Sequence, residues 1–484
     1  MSKKPFSRSA PARRARRSDP ARLVAFRVLR AVAEDDAYAN LVLPPAIRRA
    51  KLDKRDAAFA TELTYGALRA RGTYDAILTR CVDRELDKLD PPVLDALRLG
   101  SHQLLAMRVN THAAVNETVA LVRDQIGIGP SGLTNAVLRQ VAEKPWDQWL
   151  EAITSDTSEV ETLALRYAHP AWVVRAMRQA LKSHGRGAEL EGLLQANNVA
   201  PPVHLVGLPG IESGAAHLGA AVEAGAQPSE LLDGAAVFRG GDVGLLPGVR
   251  EGSLRVQDIG SQWVARALTE PAVQLRERWL DLCAGPGGKS ALLGALAAEF
   301  EVHLTANEPA AHRAKLVEQA LAPVDHSAWT VRTGDGRTIT EVGATFDRII
   351  VDAPCTGLGA LRRRPEARWR RQPSDLAALT ALQQELLDAA TEVLAPEGLL
   401  AYVTCSPHIA ETIIQIQDLL RRRSDLQLLD GHDVMTHVAL PTGADLLTSR
   451  PSATDNVTAK TVQLWPHIHG TDAMFFALLQ KEPA

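Results

Sequence analysis

Two short motifs place thiols at the ends of apolar runs. Val351-Asp352-Ala353-Pro354-Cys355 ends one run, and Val403-Thr404-Cys405-Ser406-Pro407 ends another. A thiolate can add to carbon 6 of a pyrimidine. The addition makes carbon 5 enamine-like and able to attack an electrophilic methyl group, so one hard step is split into easier ones. Only the ionised sulfur attacks, so nearby positive charge would help by lowering its pKa. Asp352 could hold or protonate ring nitrogen 3 as negative charge develops there. Afterwards a base must remove the carbon 5 proton, and the enzyme thiol must leave. A lone cysteine is usually inert core. Two of them, each at a strand end beside proline or serine, favour chemistry.

A second constellation is the loop Asp281-Leu282-Cys283-Ala284-Gly285-Pro286-Gly287-Gly288-Lys289-Ser290. Its glycines allow a tight turn and close approach of a ligand to the backbone. A phosphate-cradling Walker loop is excluded, because the position of its first glycine holds Cys283. A dinucleotide fingerprint begins at Gly285-Pro286-Gly287 but meets Ser290 where its third glycine belongs. A nucleoside-bearing cofactor without a pyrophosphate fits better, with S-adenosylmethionine the leading candidate. Glu308 can accept hydrogen bonds from ribose hydroxyls, and Asp335 stands where it can meet the adenine amino group.

These residues need a frame. From about 254 onward, short apolar runs alternate with helical segments. The runs are Trp279–Cys283, Val302–Ala306, Trp329–Thr333, Phe346–Val351 and Leu399–Thr404; Lys289–Glu299 and Leu376–Leu394 are among the helices. This alternation predicts a doubly wound parallel sheet, an α/β Rossmann-like domain over 254–484, with Ala473–Leu479 closing the sheet. The carboxyl ends of its strands face one crevice, so both thiols should lie beside the glycine loop. Residues 19–145 show helical spacing only, as in Ala21–Ala33, Ala57–Ala70, Val93–Met107 and Ala113–Ile126, and predict an all-α domain. The segment 146–253 reads as a linker and a small α+β module, with Pro145 as a breaker and strand-like pieces at Val203–Leu208 and Ala235–Arg239.

A chain of 484 residues implies more than one domain. No run of about 18 apolar residues suggests a membrane span, and no secretory leader is evident, so the cytoplasm is expected. The four cysteines, Cys81, Cys283, Cys355 and Cys405, form no C-x-x-C pair. Free thiols, no metal and a monomer are expected. Net charge is only −3, yet residues 1–17 hold Lys3, Lys4, Arg8, Arg13, Arg14, Arg16 and Arg17 and no acid. The tail over 1–18 is expected to be disordered, as a phosphate-binding arm or a solvated end. Arg362, Arg363, Arg364, Arg368, Arg370 and Arg371 crowd around Trp369 just after Cys355. The arginines can pair with RNA phosphates and stack on bases, while Trp369 is expected to pack inside.

Taken together, the motifs resemble the Nol1/Nop2/Sun group of RNA 5-methylcytosine methyltransferases over nearly the whole chain. Cys283–Lys289 matches that family's first motif, Asp352–Cys355 its fourth and Thr404–Ser406 its sixth. The resemblance implies Cys405 as nucleophile, Cys355 as the residue that assists product release, and S-adenosylmethionine as cofactor. Val256-Gln257-Asp258-Ile259-Gly260-Ser261-Gln262, the stretch Leu361–Trp369 and Gly470–Phe476 resemble further family segments. Glu62–Arg69, His112–Val119 and Gly132–Arg139 resemble the NusB fold, and that domain beside the catalytic one is the bacterial arrangement for 16S ribosomal RNA. RNA-binding roles for the helical domain and the small module, and cytosine 967 as target, are what this implies. Two departures stand out: Gly285 replaces a usual alanine, and Ala410-Glu411-Thr412 stands where Glu-Glu-Asn is common. A transfer RNA substrate, a noncatalytic RNA-binding factor and a nicotinamide enzyme are the competing readings. The intact Asp352, Cys355 and Cys405 oppose the noncatalytic one.

Overall fold

In this computed structural model, residues 18–448, 450 and 455–483 are described. The basic tail over 1–17 lies outside them.

The chain divides into two compact units. The first, described from Ser18 to Ala171 together with Arg364–Glu366, is helical, with no strand among its described residues. Local chemistry sets its helix starts. Asp19 accepts the Arg22 N–H at 2.9 Å ahead of Pro20, whose fixed φ suits a first turn. Asp53 and Asn110 cap later helices in the same way. Val24, Val28, Leu29, Leu63, Leu99 and Val122 form one core, and Tyr74, Ile77, Leu97, Leu138 and Trp149 another. The expected linker proves helical at Trp146–Thr154, and Pro145 precedes that helix instead of breaking it. Trp149 and Ile153, four residues apart and both buried, give the reason. The Trp149 indole also donates to the Val141 carbonyl at 2.9 Å.

The second unit holds Trp172–Arg363 and the chain from Ala367 onward. Its smaller sheet contains β1 (Val203–Gly207), β2 (Gln227–Pro228), β3 (Ala235–Phe238) and β4 (Leu254–Val256), antiparallel in the order β2-β3-β1-β4. The larger sheet uses β5 (Arg278–Asp281), β6 (His303–Glu308), β7 (Trp329–Thr333), β8 (Phe346–Asp352), β9 (Leu394–Thr404), β10 (Leu426–Leu428), β11 (Val462–Gln463) and β12 (Phe475–Lys481). Its order is β10-β12-β9-β8-β5-β6-β7, with β11 beside β12. Side chains alternate across it as strand geometry requires. Trp279, Ile350, Val403 and Phe476 enter the core on one face; Leu280, Ile349, Tyr402 and Phe475 enter the core on the other.

Strands β5 to β9 are parallel, as the alternation predicts. β12 runs antiparallel to both its neighbours, β9 and β10, so the sheet is mixed, and β12 lies inside the sheet while β10 forms the edge. An antiparallel neighbour needs no helical crossover. The reversal sets the start of β12 against the end of β9, with Phe475 opposite Thr404. Strand order reverses direction between β5 and β8, the switch point at which open α/β sheets take ligands.

Candidate active site

Both thiols lie at this switch. Asp352 is the last residue of β8, and Cys405 follows the last residue of β9. The Cys355 and Cys405 sulfurs are 3.4 Å apart, and both residues are partly exposed. The hydrogen bond with Cys405, together with burial, pushes the Cys355 thiol well above its ordinary pKa. Cys355 therefore keeps its proton more firmly than a free cysteine.

The two loops are tied to each other. Glu411, fully buried, accepts the Thr356 N–H at 2.7 Å and the Thr356 and Ser406 hydroxyls at 2.6 Å each. Gly359 donates its N–H to the Cys405 carbonyl at 2.9 Å and accepts the Ala473 N–H at 2.9 Å. A Cβ at Gly359 would stand 2.1 Å from the Ala473 oxygen, so only glycine fits between the ends of β9 and β12. Sequence reasoning missed Gly359; for Ala410-Glu411-Thr412 it offered substrate contact or support of the loop, and Glu411 bonds the two cysteine loops. An acid within the apolar run Ile409–Ile414 was the available signal.

The glycine loop leaves β5 and opens the helix Gly288–Glu299. Gly287 has φ +88°, and a Cβ there would meet the Ala320 Cβ at 2.6 Å, so glycine is required twice over. The Ala284 N–H is held by the Asn307 carbonyl at 2.9 Å, which fixes the loop to the end of β6. Pro286 is exposed, and a Cβ at Gly288 would meet nothing within 4 Å. Burial, and then the Asp281, Asp352, Glu308 and Asp335 carboxylates, push the half-buried Cys283 thiol up. Asp281, Glu308 and Asp352 end β5, β6 and β8, and Asp335 lies two residues beyond β7. Lys289 donates to Asp352 at 2.8 Å; burial disfavours its charge, but Asp352 outweighs burial and the net shift is upward. Glu308, nearly fully buried, accepts the Ala310 N–H at 2.9 Å and pairs with Arg313 at 2.6 Å. Asp335 is held by Arg337 through both carboxylate oxygens, which lowers its pKa.

Two of the crowded arginines are buried, against the expectation that they meet RNA. Arg362 and Arg368 are buried at 5% and 0% exposure. Arg362 donates to the Gly470 carbonyl at 3.1 Å and pairs with Asp472; Arg368 donates to Asn198 at 2.8 Å and to the Asn197 carbonyl at 3.2 Å. Arg363 bonds Asp258 and, at 3.1 Å, Asp472, and it also reaches the Pro202 carbonyl. The guanidiniums meet carboxylates and carbonyls that the fold brings near, because a buried cation must be paired. Arg363 and Arg368 tie the segment after Cys355 to Asp258, Asp472 and the Asn197–Asn198 turn. Arg364 is exposed; it belongs to the helical unit, with its guanidinium 4.7 Å from the Tyr38 ring centroid. Trp369 is half-buried.

Residues 270–480 match the family described as 16S rRNA methyltransferase RsmB/F, and residues 19–143 match the NusB family. Ribosomal RNA small subunit methyltransferase B of Erwinia tasmaniensis is 31% identical over 470 residues, spanning 95% of this chain and 98% of that protein. The chain belongs to the RsmB/F methyltransferase family. Another relative, named putative methyltransferase Rv1407 in Mycobacterium tuberculosis H37Rv, is 45% identical over 471 residues and spans 97% of this chain and 98% of its own. Among solved structures, PH0851 superposes with a TM-score of 0.76 at 21% identity, covering 96% of this chain and 99% of that one. NSun6 from Pyrococcus horikoshii with SFG gives 0.50 at 17% identity, covering 64% and 98%. These likenesses agree with the RsmB/F fold. The RsmB/F family is one of S-adenosylmethionine-dependent methyltransferases. The site suits that cofactor: a tight glycine turn with open room at Gly288, and acids at the ends of β6 and β7 for a nucleoside.

Proposed function

We propose that this chain methylates carbon 5 of a cytosine in small-subunit ribosomal RNA, with Cys405 as nucleophile. The observation that carries this reading is the sulfur pair, 3.4 Å apart, at the switch point beside the glycine loop. Residues Cys283–Lys289 and Glu308, with Asp335, would hold S-adenosylmethionine, which supplies an electrophilic methyl group when bound. The Cys405 thiolate adds to carbon 6 of the base and the electron pair reaches carbon 5, which would form the new carbon–carbon bond as the methyl group's bond to the donor's sulfonium sulfur breaks and a thioether leaves. Asp352, held by Lys289, faces ring nitrogen 3 as charge builds there. A base then takes the carbon 5 proton, and the sulfur–carbon 6 bond breaks. Cys355, close to that bond and holding its proton firmly, assists this release.

The target cytosine must leave any stack to meet the thiol, so a loop or flipped base is the form bound. By family resemblance the proposed position is cytosine 967 of the 16S RNA, and the cytoplasm is the proposed compartment. Purified protein with tritiated S-adenosylmethionine and unmodified 16S transcript tests the proposal. Label is expected in one cytosine as 5-methylcytosine. Cys405→Ala is expected to give none, and Cys355→Ala to accumulate a protein–RNA adduct. Label confined to transfer RNA would discard the ribosomal substrate, and no label in any RNA would overturn the activity.

A further inference from the structure

Both cysteines are followed by a hydroxyl residue, Thr356 after Cys355 and Ser406 after Cys405. Both hydroxyls donate to the same carboxylate oxygen of Glu411, at 2.6 Å each. The other oxygen takes the Thr356 N–H at 2.7 Å and the Gln383 amide at 3.3 Å. Gln383 also donates to the Pro354 carbonyl at 2.8 Å, just before Cys355. Glu411 is itself anchored, since its backbone carbonyl accepts the hydroxyl of Tyr402, a fully buried residue of β9. A buried carboxylate is expensive unless donors surround it. Charge-assisted bonds of this length are about twice as strong as neutral ones. The carboxylate thus joins two loops whose cysteines lie 50 residues apart in sequence, one residue away from each sulfur.

We propose that Glu411 is a positioning residue that sets the spacing of the Cys355 and Cys405 sulfurs. This rests on the reading of those thiols as the reactive pair. Glu411 touches neither sulfur in this arrangement. It acts through Thr356 and Ser406; without it the two loops keep as direct links only the Thr356–Ser406 hydroxyl contact at 3.1 Å and the Gly359 N–H to Cys405 carbonyl bond at 2.9 Å, which leave the cysteine side chains less firmly spaced.

The experiment reads the spacing directly. A trivalent arsenical, phenylarsine oxide, condenses with two neighbouring thiols, forming two As–S bonds and releasing one water. Closing the second bond is intramolecular only while the sulfurs are held together. Wild type, Glu411→Ala, Glu411→Gln and Ser406→Ala are compared for arsenical affinity, melting temperature, S-adenosylmethionine affinity, and kcat and KM on the RNA. In Glu411→Ala the arsenical is expected to bind about 100-fold more weakly. Its kcat is expected to fall about 100-fold, the scale of a misplacement near 1 Å, with KM and cofactor affinity unchanged. Glu411→Gln restores both readouts, because its amide oxygen accepts the Thr356 N–H and its amide N–H groups meet the hydroxyl oxygens. A folded Glu411→Ala that chelates arsenic like wild type overturns the proposal. So does a folded Glu411→Gln that restores neither readout. Should Glu411→Ala unfold, Ser406→Ala decides: it cuts one tether and leaves the carboxylate in place, and wild-type chelation there also overturns the proposal. Chelation that depends on Glu411 in a protein that methylates no RNA supports the positioning role and discards only the proposed activity.

Discussion

Lys289 Nζ and Asp352 Oδ2 are 2.8 Å apart, so the helix after β5 is joined to the end of β8 across the switch point. The lysine side chain is 10% exposed and the aspartate 31%. The bond links the proposed cofactor loop to the proposed base-holding acid. Lys289→Met is expected to keep the fold, because Asp352 retains access to water. The loss should be about 1 kcal/mol of stability and about 100-fold in kcat. Thermal unfolding and methyl transfer to 16S transcript check the two halves. A kcat equal to wild type would remove Lys289 from the machinery.

Asp281 predicts a pH signature. Burial, opposed by the 2.7 Å hydrogen bond from Ser290 and assisted by Asp352, pushes its pKa from 3.8 up to about 7. The folded state therefore holds this proton where the unfolded chain has lost it. Stability from this group is fully present below pH 3.8, declines as pH rises, and is lost by about pH 7. Asp281→Asn keeps an acceptor for Ser290 and removes the buried charge. Its melting temperature, measured without cofactor, is expected to exceed wild type at pH 8. The gap is worth roughly 4 kcal/mol at most and closes towards pH 4. A gap independent of pH would contradict the assignment.

Neighbouring arginines should behave oppositely. Arg363 is paired with Asp258 and Asp472, and its replacement by Met leaves two buried carboxylates short of a guanidinium, Asp258 with only His204 and Asp472 with only Arg362 as a basic partner. A loss of about 3–5 kcal/mol is expected in denaturant unfolding. Exposed Arg364 is expected to tolerate replacement by Ala with little loss of stability. The sequence expectation that it meets RNA phosphate predicts that Arg364→Ala lowers affinity uniformly across sequences and drops the salt slope of binding by about 1.

Gly359→Ala tests the clamp between β9 and β12. The added Cβ would stand 2.1 Å from a backbone oxygen, so a loop must move. The expected result is a loss of kcat beyond about 100-fold with S-adenosylmethionine affinity retained, since the glycine loop is untouched. Equal loss of cofactor binding in calorimetry would show that the disturbance spreads through the whole site.

The sequence alone determined the local features. Apolar periodicity placed the helices of the first unit and the parallel strands, because a face that must be buried writes a period of 3.6 or 2 into the chain. The glycine loop and the two cysteine motifs were readable because backbone conformation and nucleophilic chemistry each restrict residue type at a fixed position. What depends on partners remote in sequence was not readable. The crowd of arginines reads the same whether it faces phosphate or carboxylate; only folding brings Asp258 and Asp472 to Arg363 and gives the group a bracing role. The direction of β12, the fit of Gly359 against Ala473 and the reach of Glu411 to Thr356 are likewise tertiary. A strand does not encode its neighbour's direction, and a buried acid does not encode its donors. Those follow from which surfaces pack together and which polar groups must then be satisfied.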